Sequence, residues 1–349
     1  MVKAIQVGLG GWGFNWSQEV IPNVPNVEMV GYVDTNPDAI KRVTETLGVA
    51  PELCFASLAD AAAATKADLV IATLRTDAHY PVVKQALELG MNVIVEKPFA
   101  STIEQARELV EIAERNNLIL MVSQNYRHQQ APLAVSEMIA DEKFGPVNFV
   151  SIDFRRHAPT QGYRYWDMPD PLLADMSIHH FDLMRMVLKK NPVRISCRTW
   201  NPAGSPFSYD PAGVALIEFE GGTMVSYRGS WVSTGTPTAW SGEWSIDCAK
   251  GELAWTSRDD FQGTTKPDHL VLRPLEGAED VVKLKPIAFT DRLGTLNAMA
   301  NAVATGTLPP HFSSGRDNLW SLGLTVSAIK SASQDGAWVH VADVVDLAE

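Results

Sequence analysis

A chain of 349 residues, 46% hydrophobic and 20% charged, is long enough for two domains with separate cores and has the balance of a soluble globular protein. A formal net charge of −12 with no basic block argues against nucleic acid or an anionic membrane as main partner, and no apolar run approaches the roughly 18 residues of a membrane span. Three scattered cysteines, Cys54, Cys197 and Cys248, lack metal-ligand spacing and fit a reducing cytoplasm, and no secretory leader is expected ahead of the first strand.

Ala4 to Val7 read as a strand, followed by GLGGWG, in which Gly8, Gly10 and Gly13 have the G-x-G-x-x-G spacing with Gly11 and Trp12 between. The first glycine permits a tight turn, the second close approach of a pyrophosphate, and the third close packing of the following helix. A second strand, Glu28 to Val33, ends in Asp34, roughly 20 positions beyond Gly13, where an acid binds the hydroxyls of an adenosine ribose. Asp34 would repel a 2′-phosphate, which favours NAD, while Lys41 and Arg42 keep NADP admissible. Asp34 is equally suited to the turn before Thr35, Asn36 and Pro37.

Alternation continues with helices over Pro37–Leu47 and Leu58–Ala64, a short strand at Cys54–Phe55 and a strand at Leu69–Ala72. The loop Thr73 to His79 lies at the ligand edge. Thr73 is placed to touch a nicotinamide ribose. His79 counts with the cofactor loop, although capping or packing beside a helix over Tyr80–Leu89 explains it too. The stretch Asn92 to Phe99, NVIVEKPF, is the centre of the pattern. Val93, Ile94 and Val95 form a strand buried on both faces, and Glu96, Lys97 and Pro98 follow at its carboxyl end, where ligands bind in open α/β sheets. A cis bond before Pro98 is expected at so sharp an exit. A helix over Ile103–Asn116 and a strand over Ile119–Val122 complete a parallel sheet. Residues 1–123 thus read as an NAD(P)-binding Rossmann domain.

Beyond Ser123 the pattern changes to short alternating runs, from Val147–Arg155 to Val281–Leu284, separated by turns such as Glu220-Gly221-Gly222. Residues 124–349 read as an α+β substrate-binding and oligomerisation domain with a large, mostly antiparallel open sheet, the C-terminal helix being able to return to the first domain. Many of the ten tryptophans lie in this sheet, as core or as an interface between chains.

One helix here carries chemistry: ADMSIHHFDLMRMVL, Ala174 to Leu188. Asp175, His179 and Asp182 fall on one face of an otherwise apolar helix, and a buried polar row must meet partners, water or a ligand. His180 lies on the apolar stripe and reads as a packing residue, and Asp182 as structural. Tyr163, Arg164, Tyr165 and Trp166 form an aromatic and basic cluster able to stack on a sugar ring or to serve as core. Asn125, Arg127 and Arg156 are further candidates to contact substrate. Zinc takes three or four ligands, and no third is recognisable beside Asp175 and His179, so no metal site is expected.

GLGGWG, Asp34, the ATLRTDAH loop and EKP follow one another as in the Gfo/Idh/MocA family, which this chain resembles over nearly its whole length. Asp175 and His179 match the family's D-x-x-x-H pattern. Leu74 stands where relatives have proline, Trp16 where they often carry histidine, and Ser177 where glycine is usual. The resemblance implies an oxidoreductase acting on sugars, inositols or polyols, assembled as a homodimer or homotetramer through the second sheet. Lys97 would stabilise negative charge on the substrate oxygen, His179 would accept the hydroxyl proton, and Asp175 would hold a neighbouring hydroxyl. The same residues would serve a hydrolase or lyase that oxidises its substrate transiently with bound NAD, and a sensor without turnover is a third reading.

Overall fold

The computed structural model describes residues 1–157, 166–261 and 264–346; Tyr163, Arg164 and Tyr165 lie outside the described residues. The chain forms two compact units, Met1–Asn125 with Ala288–Leu319, and Tyr126–Ile287 with Trp320–Glu349.

In the first unit, β1 (Val2–Val7), β2 (Val27–Val33), β3 (Cys54–Phe55), β4 (Leu69–Ala72), β5 (Asn92–Glu96) and β6 (Leu120–Ser123) make a wholly parallel sheet in the order β3-β2-β1-β4-β5-β6. The strand order reverses between β1 and β4, which opens a crevice at their carboxyl ends. The chain between the strands forms α1 (Gly11–Asn15), α2 (Pro37–Leu47), α3 (Leu58–Ala64), α4 (Thr76–Glu88) and α5 (Ile103–Arg115). Asn36, Ser57 and Thr102 cap α2, α3 and α5 by accepting from the backbone N–H of Asp38, Asp60 and Gln105. Helix α4 begins at Thr76, four residues before the start expected at Tyr80, and takes Pro81 inside it. His79 therefore sits within a helix and not in an open loop.

The second unit contains α6 (Gln130–Ala140), β7 (Val147–Arg155) and α7 (Ile178–Leu188). The strands β8 (Pro192–Trp200), β9 (Ala212–Phe219), β10 (Met224–Ser230), β11 (Glu243–Cys248) and β12 (Gly251–Thr256) follow. A small hairpin of β13 (Asp259–Phe261) and β14 (Thr264–Lys266) precedes β15 (His269–Pro274) and β16 (Asp280–Val281). With β17 (Val339–His340) they build a nine-stranded sheet, β16-β15-β12-β11-β7-β10-β9-β8-β17, antiparallel throughout except for the β7–β10 pair. The later helices are α8 (Asp291–Thr305), α9 (Gly315–Ser333) and α10 (Ala342–Val345). Leu296, Met299 and Ala300 of α8 pack with Ala4, Ile71, Ile94 and Met121 of the parallel sheet.

Helix α7 is buried at all eleven positions, the polar residues His179, His180, Asp182 and Arg185 included, so these groups need partners inside the protein. It is preceded by a π-helical turn, Leu172–Ser177. Gly213 and Gly229 stand opposite one another in β9 and β10 and leave a slot that Leu172 fills. A Cβ on Gly229 would lie 2.9 Å from Leu172 Cδ1 and 2.7 Å from the Tyr227 hydroxyl. Gly229→Ala is expected to destabilise the protein by about 1–3 kcal/mol through overpacking, read as a lower midpoint in urea at unchanged slope.

Candidate active site

The glycine loop is fixed by steric contact and by buried polar groups. Gly8 has φ +94°, a left-handed conformation that favours glycine. A Cβ on Gly13 would lie 1.9 Å from Gly8 O, so no side chain fits where the first helix crosses the loop. Thr73 Oγ1 donates to Gly8 O at 2.7 Å, and Gln6 Nε2 donates to Gly13 O at 2.8 Å. Thr73, the candidate ribose contact, is thus also a structural link between β4 and the loop. A Cβ on Gly10 or Gly11 would meet no protein atom, so this stretch of backbone is open to a ligand.

Asp34 Oδ2 accepts from Leu9 N at 2.6 Å and Oδ1 from Asn36 N at 2.8 Å. The carboxylate serves the turn and the glycine loop together. Each oxygen keeps acceptor capacity for a ribose hydroxyl. The loop, the acid and the open backbone fit a dinucleotide.

At the end of β5 the Lys97–Pro98 peptide is cis, as expected. Lys97 is half-buried. Glu96 is buried, and its Oε1 accepts from Trp16 Nε1 at 2.8 Å. Burial pushes the Glu96 carboxyl above its ordinary range, while the indole N–H groups of Trp12 and Trp16 and the charges of Lys97 and Arg292 pull it back. Trp16, the departure from the family pattern, is therefore bonded to the acid of the EKP motif. Trp12 is 46% exposed, with Arg292 Cζ 4.3 Å from its ring centroid. His79 is 1% exposed, its Nδ1 2.9 Å from Pro98 O and its Nε2 3.2 Å from Leu74 O. Burial lowers its pKa. Its ring joins two backbone segments, Leu74 and Pro98, at the edge of the crevice. Asn125 donates to Asp291 in the same unit.

In the second unit, the π-helical turn carries Asp175 and α7 carries His179. π-Helical turns occur often at functional sites. The His179 ring is buried and stacks on Tyr126, with centroids 4.1 Å apart and planes 7° apart. Arg258 Cζ lies 4.2 Å from the Tyr126 centroid. Neither Tyr126 nor Arg258 was a candidate from sequence. Tyr126 stands between two residues that were, Asn125 and Arg127, whereas Arg258 has no local signal.

Arg127 and Asp182 form a buried bidentate ion pair, with Nε–Oδ2 and Nη2–Oδ1 both 2.6 Å. Ser321 Oγ donates to Asp182 Oδ1 at 2.8 Å and Arg185 Nη1 donates to Ser321 Oγ at 3.0 Å. The Arg127 guanidinium thus fixes α7. Arg156 is buried with Cζ 4.3 Å from the Trp240 centroid. Trp166 is half-buried, and its carbonyl accepts from Ser208 N at 2.7 Å.

His180 is fully buried, with Nε2 2.9 Å from Trp240 O and Nδ1 3.0 Å from the Tyr227 hydroxyl. The carbonyl fixes the proton on Nε2, so Nδ1 accepts from Tyr227, which in turn accepts from Ser177 at 2.9 Å. Burial lowers the His180 pKa to about 4 and raises that of Tyr227.

Two stability predictions follow from these groups. Asp182→Ala removes the carboxylate facing a buried guanidinium and is expected to cost about 3–5 kcal/mol in urea unfolding. Between pH 6.5 and about 4 the unfolded chain binds a proton at His180 that the folded chain does not. Stability therefore drops by about 3 kcal/mol as the pH is lowered from 6.5 to about 4, a loss that unfolding titrations of His180→Gln should lack.

Comparison with known proteins agrees with this architecture. Residues 2–124 match the Gfo/Idh/MocA oxidoreductase family, NAD-binding Rossmann fold, and residues 133–254 match the C-terminal domain of the same family. The chain belongs to this family of oxidoreductases, and its first unit is an NAD-binding domain. Among relatives, the uncharacterised protein y4oX of Sinorhizobium fredii is 27% identical over 337 residues, 94% of this chain and 93% of that one. The 1,5-anhydro-D-fructose reductase of Ensifer adhaerens is 23% identical over 272 residues, 76% of this chain and 78% of the enzyme. In fold, the chain matches an inositol dehydrogenase homologue of Azotobacter vinelandii solved with NADH and myo-inositol, with a TM-score of 0.82, 21% identity and 97% of each chain covered. Among the described residues, no helix is long and apolar enough to cross a membrane.

Proposed function

We propose that the protein is an NAD-dependent dehydrogenase that oxidises a secondary hydroxyl of a sugar, inositol or related polyol to a ketone or lactone, reversibly. The observation that carries the reading is a family-matched NAD-binding loop in the same chain as Lys97 at the carboxyl end of β5 and buried His179 one turn beyond Asp175. The names of the relatives, a reductase of 1,5-anhydro-D-fructose and an inositol dehydrogenase homologue, support a polyhydroxylated substrate.

Bound NAD supplies the hydride acceptor, and the side chains handle the rest. Lys97 donates to the substrate oxygen and stabilises the negative charge that grows on it as the hydride leaves. His179 accepts the hydroxyl proton, a step suited to an imidazole near neutral pH. Tyr126 holds that ring in one plane through their stack. Asp175 accepts from an adjacent substrate hydroxyl and so orients the carbinol. Arg127 and Asp182 set the position of α7.

Lys97→Met and His179→Asn are each expected to lower kcat by roughly 10²–10⁴-fold. NAD+ affinity, read by calorimetry, should change far less. Turnover within twofold of wild type in both variants would remove the proposed roles.

The second sheet is proposed to join two or four copies of the chain. Its outer face exposes Trp200, Val214 and Leu216 and holds a depression of about 530 Å³ over Ser151, Ser226, Ser245 and Ala254. Exposed large apolar groups on a sheet face mark an association surface. Light scattering should give at least a dimer, and Leu216→Asp should shift it toward monomer; a wild-type monomer at micromolar concentration contradicts this.

A further inference from the structure

Two guanidiniums of the second unit, Arg156 and Arg258, have no part in the hydride and proton steps, and one tryptophan joins both to α7. Trp240 O lies 2.9 Å from His180 Nε2, and Trp240 N donates to Arg258 O at 3.1 Å. The Trp240 ring carries the guanidinium of Arg156, with Cζ 4.3 Å from its centroid. Arg156 is only 3% exposed. Arg258 is half-buried and has a left-handed φ of +59°, which a residue with a side chain seldom adopts. Its guanidinium lies against the Tyr126 ring, whose other face takes His179. Neighbouring carboxylates have other partners. Asp182 takes the Arg127 guanidinium, Asp268 takes the backbone N–H groups of Arg258 and Ala131, and Asp153 takes Arg228.

We propose that the substrate is an anionic sugar, an aldonate or uronate, and that Arg156 takes its carboxylate while Arg258 adds a second positive charge. A guanidinium lying flat on an indole offers its N–H groups in the plane of the fork, the geometry that pairs with a carboxylate through two parallel bonds. The stack on Trp240 limits the rotamers of Arg156 beforehand, so less entropy is lost when an anion arrives. Away from water such a pair is stronger than at the surface, and a neutral hydroxyl is the weaker acceptor. The net charge of −12 disfavours the approach of an acid, so local cations are what admit one. The carboxylate stays unchanged in the reaction. It is a handle that turns the carbinol toward His179.

The inference rests on the dehydrogenase reading of this site and deepens it by giving the substrate a charge. Its test is NAD+ reduction by the full chain with matched sets of acid, primary amide and neutral parent sugar, built on glucuronate, galacturonate and gluconate. At least one acid should show a kcat/KM at least about tenfold above those of its amide and its neutral parent. Arg156→Met should bring that ratio close to one, Arg156→Lys, which keeps a point charge without the fork, should retain part of it, and Arg258→Met should lower it severalfold. The comparison of acid with amide is made on wild type, so it holds even where a variant fails to fold. Neutral sugars oxidised as well as or better than their acids would overturn the anionic substrate and leave the dehydrogenase reading in place. A preference for acids that survives in folded Arg156→Met would overturn the role of Arg156. Oxidation of neither class would overturn the dehydrogenase reading and this inference with it.

Discussion

The approach of the first helix to the glycine loop is the constraint on which the cofactor-binding unit depends. Backbone replaces side chain at Gly13, where a Cβ would fall 1.9 Å from Gly8 O. That contact would leave buried carbonyls without partners, and the surrounding polar groups supply them. Gly13 O accepts from Gln6 Nε2 at 2.8 Å, and Gly8 O accepts from Thr73 Oγ1 at 2.7 Å. Gln6 Oε1 accepts from Ser17 Oγ at 2.6 Å. A closed network of this kind ties β1, the first helix and the end of β4 into one rigid edge, because each member would be costly to leave unsatisfied away from water. The open backbone at Gly10 and Gly11 is rigid because its neighbours are.

The second unit solves a similar problem differently. A helix buried at every position gains little direction from its apolar residues, which pack equally well at several rotations. Its polar groups set the rotation. His180 reaches Trp240 O and Tyr227, Ser177 reaches the same tyrosine, and Asp182 takes Arg127 and Ser321. These bonds form only at one register, so they hold Asp175 and His179 where the π-helical turn and α7 present them. Leu172, seated over Gly213 and Gly229, sets how closely the helix start approaches the sheet.

Much of this was legible from residue order. The parallel sheet, the glycine loop, Asp34 and the cis Lys97–Pro98 bond follow from local patterns whose physics is local: strand burial, turn geometry and the restrictions of proline. The mostly antiparallel second sheet follows from alternation. Other features depend on tertiary packing and leave no local mark. Helix α4 starts before Pro81. The apolar face of α8 covers the parallel sheet, although its sequence does not say which sheet it should meet. The stack of Tyr126 on His179 joins residues more than fifty positions apart, and Arg258 joins it from farther still. The turn role of Asp34 was readable from Thr35, Asn36 and Pro37, and Asn36 N donates to its Oδ1, but the second bond, from Leu9 N to Oδ2, joins residues 25 positions apart and leaves no local mark.

The central claim is net transfer of hydride from a carbinol carbon to NAD+. Its most direct measurement uses sugars, inositols and polyols deuterated at the carbinol carbons, mixed with enzyme and NAD+, with the reduced-nicotinamide absorbance followed and the isolated cofactor analysed by mass. The account predicts that at least one substrate gives a lasting rise in absorbance and places one deuterium on the reduced cofactor. A rise that decays to baseline while the substrate is cleaved, or no reduced cofactor with any substrate despite tight NAD+ binding, would contradict it.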